Sequence, residues 1–316
     1  MESPFRVLRL QAVPEEMDRV IDEVAARLGA LYGPEAARDY RLRAGPAMKS
    51  NIANPGVYAL AAFNGRLLAG LMLSVVRGTV AEVPFMHVIG DYRGQGVEPV
   101  LIDAAVQLYQ AGGMEGILCE CLPLSVMDLR GPFEAHGFRR IPREIMTASL
   151  MEQGLAAGPD RVCPPLYADD WDGAARTLVA AYEGDPGRLL HLEVGSVPHA
   201  LDFIGRVVGG SFGRPSVGAC RVAGDRASQG VILGCSVAPG VGFVLQVAVR
   251  PEHRGEGVAT ALLRAQAAAY REAGLRRVSL GVTTSNPARR LYARLGFTRL
   301  IPVEAFVWWR PGYAPV

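Results

Sequence analysis

The stretch Arg250–Leu263, RPEHRGEGVATALL, holds the residues best placed to do chemistry. An apolar run, GFVLQVAV, leads through Arg254, Gly255 and Gly257 straight into an alanine-rich helical pattern. Backbone N–H groups at the start of a helix lack intrahelical acceptors, and the helix dipole adds partial positive charge there. Glycines let an anion come close to that backbone. The stretch therefore reads as a phosphate cradle. Its spacing is neither G-x-G-x-x-G nor G-x-x-x-x-G-K-[ST], so neither a dinucleotide fingerprint nor a Walker loop is present. What stands here is R-x-x-G-x-A: Arg254, Gly257 and Ala259, followed by Thr260.

The elements around this loop must position it. GACRVAG and GVILGCSV read as strands joined as a hairpin through GDRASQG, and GFVLQVAV is the strand that delivers the loop. Val258, Ala261, Leu262, Ala265 and Ala269 recur at three- and four-residue steps and give the following helix one apolar face. LRRVSLGVTT then reads as a buried strand parallel to GFVLQVAV, NPARRLYARLG as a short helix, and EAFVWW as a last strand. Strands linked by crossover helices make an α/β fold.

The loop occurs twice. DYRGQGVEPVLIDAAVQLYQAGG (Asp91–Gly113) matches EHRGEGVATALLRAQAAAYREAG (Glu252–Gly274) without a gap, pairing Arg93 with Arg254, Gly94 with Gly255, Gly96 with Gly257 and Tyr109 with Tyr270. EAHGFRR matches ARLGFTR further on, so the chain reads as two copies of one domain. Its 316 residues agree with two cores. The expected division is 1–155 and 160–316, with MEQGLAAGPDRVCPP as a linker. Each copy opens with a helix: Met17, Val20, Ile21, Val24 and Leu28 form a core stripe in the first, and Asp169 or Asp170 caps the helix in the second.

Composition narrows the partners. Half of the residues are apolar and the formal net charge is +2, which gives no reason to invoke nucleic acid or membrane. No apolar run is long enough to span a bilayer and the opening segment lacks a signal-type core, so the expected location is cytoplasmic. The five cysteines, Cys119, Cys121, Cys163, Cys220 and Cys235, suggest reduced thiols rather than a disulfide framework. The C-x-C of Cys119 and Cys121 lacks a second ligand pair, so no metal is expected.

The loop and SNPARRLYARLGF (Ser285–Phe297), with an asparagine followed six residues later by tyrosine and then L-G-F, together resemble the two signatures of the GNAT acetyltransferase superfamily. The resemblance implies two tandem α/β (α+β) domains, each a mixed, mostly antiparallel sheet flanked by helices. It implies an N-acetyltransferase that moves an acetyl group from acetyl-CoA to a primary amine, on a small molecule or on a peptide. In that fold two parallel strands splay apart, and main-chain groups of Val247 and Val249 would meet pantetheine. An N–H near Gln246 or Val247 would face the thioester oxygen. Arg254, Gly255, Glu256, Gly257, Val258, Ala259 and Thr260 would hold the pyrophosphate, mainly through main-chain N–H groups. Asn286 would fix the small helix against the cofactor, and Tyr292 would protonate the departing thiolate. Read from the residues alone, Tyr292 is equally a core aromatic, Asn286 a helix cap, and His253 and Glu256 exposed turn residues. Arg289 and Arg290 face either phosphate or solvent.

The first copy departs from the pattern. Glu98 and Pro99 replace Ala259 and Thr260, which adds a carboxylate and removes an N–H donor. Met127 and Phe133 stand opposite Asn286 and Tyr292. The first copy is therefore expected to keep the fold, lose catalysis, and help wall the acceptor site. Family members often carry a glutamate on the strand before the loop, and GFVLQVAV has none. His191, Glu193, His199 and Glu304 are the alternative bases, unless the acceptor arrives as a free amine. Trp308 and Trp309 are candidates to line the acceptor pocket. The tandem design is distantly similar to that of the mycothiol synthases. A non-catalytic CoA-binding module and an aminoacyl transferase are the rival classes. The acceptor, and whether the chain forms a homodimer, stay open.

Overall fold

A computed structural model describes residues 3–120, 129–184, 186–216 and 218–312. The first half of the sequence runs β1 (Phe5–Arg9), α1 (Met17–Tyr32), α2 (Pro34–Asp39), α3 (Gly45–Ile52), β2 (Val57–Asn64), β3 (Leu67–Arg77), β4 (Val80–Val88), α4 (Val97–Ala111), β5 (Gly116–Cys119), α5 (Arg130–Ala135) and β6 (Arg139–Ser149). The second runs α6 (Gln153–Ala156), α7 (Trp171–Ala181), α8 (Val197–Val208), β7 (Arg221–Ala223), β8 (Gly230–Ala238), β9 (Val241–Val249), α9 (Val258–Glu272), β10 (Arg277–Thr283), α10 (Ala288–Arg294) and β11 (Thr298–Trp309). From α4 and α9 onward the two halves repeat one order: loop, long helix, strand, short helix, strand.

The compact units differ from the division expected at 155–160. One holds the described residues up to Pro142 and those from Pro302 on, and the other holds Arg143–Ile301. The chain passes between units inside β6 and inside β11. In the first unit the sheet order is β1-β2-β3-β4-β5-β11, and Phe306–Trp309 pair antiparallel with Gly116–Cys119. In the second it is β6-β10-β9-β8-β7, and Arg143–Ser149 pair antiparallel with all of β10. The final strand of each sequence copy thus completes the sheet of the other copy's unit. A repeat match cannot reveal this, because the exchanged strands occupy equivalent places. Both sheets are mixed and mostly antiparallel, with parallel pairs only at β4–β5 and β9–β10.

Packing follows the patterns. Met17, Val20, Ile21 and Val24 are buried under the first sheet, while Leu28 is only partly covered. The apolar face of α9 packs with Ile232, Val244, Val278 and Val282, while α7 and α8 cover the opposite face through Leu178, Phe203, Val231, Leu233 and Ala248. The repeated tyrosine ties its helix to the hairpin. Tyr270 donates within reach of the Phe243 and Cys235 carbonyls at 3.0 and 3.1 Å, and Tyr109 is bonded to Ser74, which lies at the position equivalent to Gly234. Gly234 leaves the room Tyr270 and Gln266 need.

The segment expected to be a linker is built into the second unit. Leu155 and Cys163 are core residues, and Arg264 on α9 bonds the Gly154 carbonyl and Asp160. Asp170 caps by accepting the Tyr167 N–H at 2.9 Å, ahead of the helix proper. Cys119, Cys163, Cys220 and Cys235 are unbridged thiols, and Cys121 and Met127 lie outside the described residues. Among the described residues no helix is long and apolar enough to cross a membrane.

The strand exchange makes a separable prediction. Phe306 is buried in the first unit, stacked 4.6 Å from Phe133. Phe306→Ala should cost about 3–5 kcal/mol. Amide exchange should speed up in β5 and leave β9 unchanged. Faster exchange in β9 instead would contradict the assignment of β11 to the first unit.

Candidate active site

The site begins where two parallel strands part. β9 and β10 pair at only four positions, the last being Val244 with Leu280. Leu245–Val249 then continue without β10, while β10 stays on β6 to its end. Leu245 is an extra residue against β8, whose register steps from Leu233–Gln246 to Gly234–Val244. A bulge bends the strand that carries it, which turns β9 away from β10. Val247 and Val249 lie in this stretch, paired with β8 and open on the β10 edge.

Beyond it the chain turns through residues 251–257 into α9. Gly255 and Gly257 have φ of 85° and 81°, a region that favours glycine, and a Cβ at either would meet nothing. The N–H groups of Gly255, Glu256, Gly257, Val258, Ala259 and Thr260 find no acceptor among the described residues. They form a donor-rich rim at a helix start, which suits a pyrophosphate. In the first unit Gly94 and Gly96 have φ of 72° and 89°, so the backbone shape is kept. The donors are fewer, because Gln95 N–H is taken by the Tyr92 carbonyl at 3.2 Å and Pro99 has none.

The recurring arginine has a structural task. Arg254 donates to the Ala181 carbonyl at the end of α7, 2.6 Å away, and Arg93 donates to Glu23 of α1 at 3.0 Å and to the Val88 carbonyl at 3.1 Å. Each ties the loop to the first long helix of its unit. His253 and Glu256 pair with each other at 3.3 Å on the surface. Sequence reading missed Arg161, which donates to Gln229 at 2.7 Å and to the Glu256 carbonyl at 3.2 Å and so brings a cation to the loop. No motif marks it, because it comes from the supposed linker.

Asn286 is a cap: its Oδ1 accepts the Ala288 N–H at 2.8 Å. Arg289 faces neither solvent alone nor the loop, but donates to the buried Glu144 of β6 at 2.7 Å and to the Thr284 carbonyl at 3.1 Å. Arg290 is exposed. Tyr292 is 7% exposed and packs with Phe297, centroids 5.9 Å apart, in the cluster that includes Val282 and adjoins Val247. Its hydroxyl finds no hydrogen-bond partner among the described residues. Phe133 packs on Phe138 in the same way at 4.9 Å in the first unit.

Gln246, 5% exposed, lies opposite Leu233 and so faces the α7–α8 side. Its Oε1 accepts from the Tyr182 hydroxyl at 2.7 Å, and its amide donates to Glu193 at 2.7 Å. His191 Nδ1 is 3.0 Å from the same carboxylate oxygen. Burial opposes ionisation of Glu193, but His191, its own backbone and Gln246 outweigh it and hold the carboxyl below the ordinary range. In the register of the loops, Phe85 is what stands opposite Gln246 in the first unit. The other alternative bases lie elsewhere: His199 is exposed on α8, and Glu304 pairs with Arg140 in the first unit. Trp308 packs against the first unit's core and Trp309 covers Gly116.

Residues 191–297 match the family model described as Acetyltransferase (GNAT) family. The second unit carries a GNAT acetyltransferase domain. Solved structures extend the likeness of fold over the whole chain. A GCN5-related N-acetyltransferase from Sphaerobacter thermophilus has TM-score 0.69 at 19% identity, over 99% of this chain and 98% of that one. A tandem GNAT protein from the clavulanic acid biosynthesis pathway has 0.61 at 19%, over 96% and 98%. A putative acetyltransferase from Pyrococcus horikoshii has 0.58 at 13%, over 98% and 91%. No curated protein matches the chain in sequence. The free β9 edge, the glycine loop and its unclaimed donors fit an acyl-CoA, the co-substrate usual for GNAT domains. Among the described residues no His, Cys, Asp and Glu cluster could hold a metal.

Burial of Tyr292 pushes its phenol up to about 12. Both folded and unfolded chains hold that proton below pH 10, so its contribution is then complete. Above pH 10 the unfolded chain releases the proton first, and the contribution is lost as pH climbs towards 12. Tyr292→Phe should therefore flatten the alkaline limb of the stability curve, measured by denaturant midpoints from pH 8 to 11. An unchanged slope would mean the phenol is not buried.

Proposed function

We propose that the second unit transfers an acetyl group from acetyl-CoA to the primary amine of a small molecule, with no nucleic acid or membrane as partner. The observation that carries this reading is the parting of β9 from β10 immediately ahead of six unclaimed N–H groups. Gly255 to Thr260 would hold the pyrophosphate through their backbone, with Arg254 stiffening the loop and Arg161 adding charge. Val247 and Val249 would offer main-chain groups to pantetheine, and an N–H at Gln246 or Val247 would stabilise the oxyanion. The amine nitrogen bonds to the carbonyl carbon, the C–S bond breaks, and its electron pair goes to sulfur. Tyr292 would return a proton to that thiolate, for which it is suited by holding its own proton at neutral pH. Asn286 would act through the placement of α10.

A binding module without catalysis is the second reading, favoured by the way Phe133 occupies the place of Tyr292 as a core aromatic. Tyr292→Phe separates the two. Acetyl-CoA should raise the melting temperature of this variant as it does wild type, while thiol release falls by about 10²-fold or more. Unchanged turnover would remove the acid role.

Calorimetric titration tests the site itself. Acetyl-CoA should bind wild type and Gly96→Glu at one site and fail to bind Gly257→Glu, which sets a carboxylate and an unfavourable φ into the loop. Loss through Gly96→Glu alone would move the site to the first unit, and no binding to wild type would remove the acetyltransferase reading.

A further inference from the structure

The acceptor side of the gap holds a histidine fixed for proton transfer. Four side chains from three parts of the second unit converge there: Tyr182 after α7, Gln246 on β9, and His191 and Glu193 on the segment between α7 and α8. Resting on the acetyltransferase reading above, we propose that His191 Nε2 is the general base that takes the proton from the acceptor amine, with Glu193, Gln246 and Tyr182 as its positioning residues.

The tautomer follows from the network. His191 Nδ1 lies 3.0 Å from Glu193 Oε1, a contact between two lone pairs unless Nδ1 carries hydrogen. Gln246 Nε2 is 3.1 Å from Nδ1 but only 2.7 Å from the same carboxylate oxygen, so it donates to Glu193. Gln246 cannot present its oxygen instead, because Tyr182 already donates to Oε1 at 2.7 Å. The Tyr182 ring also holds the imidazole, with centroids 5.2 Å apart. Nδ1 is thus the donor, and in the neutral ring Nε2 carries the lone pair. Nε2 has no hydrogen-bond partner among the described residues.

Position supports the role. Gln246 comes two residues after the last β9–β10 pair, so the cluster sits at the mouth of the gap. It lies on the α7–α8 face, whereas Tyr292 belongs to the cluster on the α9 face. Base and acid thus come from opposite sides of the sheet. In the step proposed, the amine proton goes to Nε2 as nitrogen bonds to the carbonyl carbon. The imidazolium is stabilised by the Glu193 carboxylate, and the thiolate takes its proton separately from Tyr292. Among the described residues, the titratable groups in contact with His191 are Glu193 on its own segment and Tyr182 after α7, and Arg188, three residues earlier, is bonded to the Gly195 carbonyl at 3.0 Å. β9 contributes only the neutral Gln246.

Two measurements on the full chain decide it. Nitrogen-15 spectra of histidine-labelled protein, with His191 assigned by His191→Gln, should show the Nδ1–H tautomer. Glu193→Gln, whose amide can donate to Nδ1, should shift it towards Nε2–H. An Nε2–H form in wild type, or no response to Glu193→Gln, overturns the proposal. Diethyl pyrocarbonate should modify His191. Acetyl-CoA at ten times its dissociation constant should slow that modification about tenfold by mass action. If calorimetry shows acetyl-CoA bound but His191 unprotected, this inference fails and the acetyltransferase reading stands. If wild type binds no acetyl-CoA, the underlying reading fails, whatever the tautomer.

Discussion

Everything at the site depends on the end of β10 being held from one side only. Its seven residues pair with Arg143–Ser149 of β6 along their whole length, whereas β9 meets only the first four. A strand with a complete partner on one edge can leave part of its other edge open at no cost in its own order. The bulge at Leu245 uses that freedom and turns β9 aside while β8 keeps it paired. The opening is therefore a property of three strands and one extra residue, and it comes directly before the loop that ends in α9.

The loop was legible from the sequence because its shape is fixed by residue type. Two glycines at positive φ and a helix start leave few alternatives, and both copies adopt that geometry. The hairpin, the parallel order of β9 and β10 and the buried face of α9 were legible for a similar reason, since period and turn residues are local. The unit boundary was not, because pairing of β6 and β11 depends on distant partners that no local pattern records. The histidine cluster was half legible. His191 and Glu193 could be named as titratable groups, but only the fold shows Gln246 drawing them to the strand that lacks a glutamate.

The two loops also separate geometry from chemistry. Arg93 and Arg254 both anchor a loop to a helix, so their repetition reflects a shared framework and not a shared ligand. What distinguishes the second loop is its donors. A proline and one internal hydrogen bond are enough to remove two of six N–H groups from the first, and Phe85 stands where the second unit has Gln246.

Strand exchange explains why a first copy without a complete site would still be kept. β6 belongs to the first copy in sequence and to the second unit in space. Losing the first copy would remove the partner of β10 and with it several backbone hydrogen bonds worth about 1 kcal/mol each. It would also unseat Glu144, the buried carboxylate that takes Arg289 from α10, the helix carrying Tyr292. A second copy standing alone would thus lose the strand that holds β10 and the ion pair that holds α10.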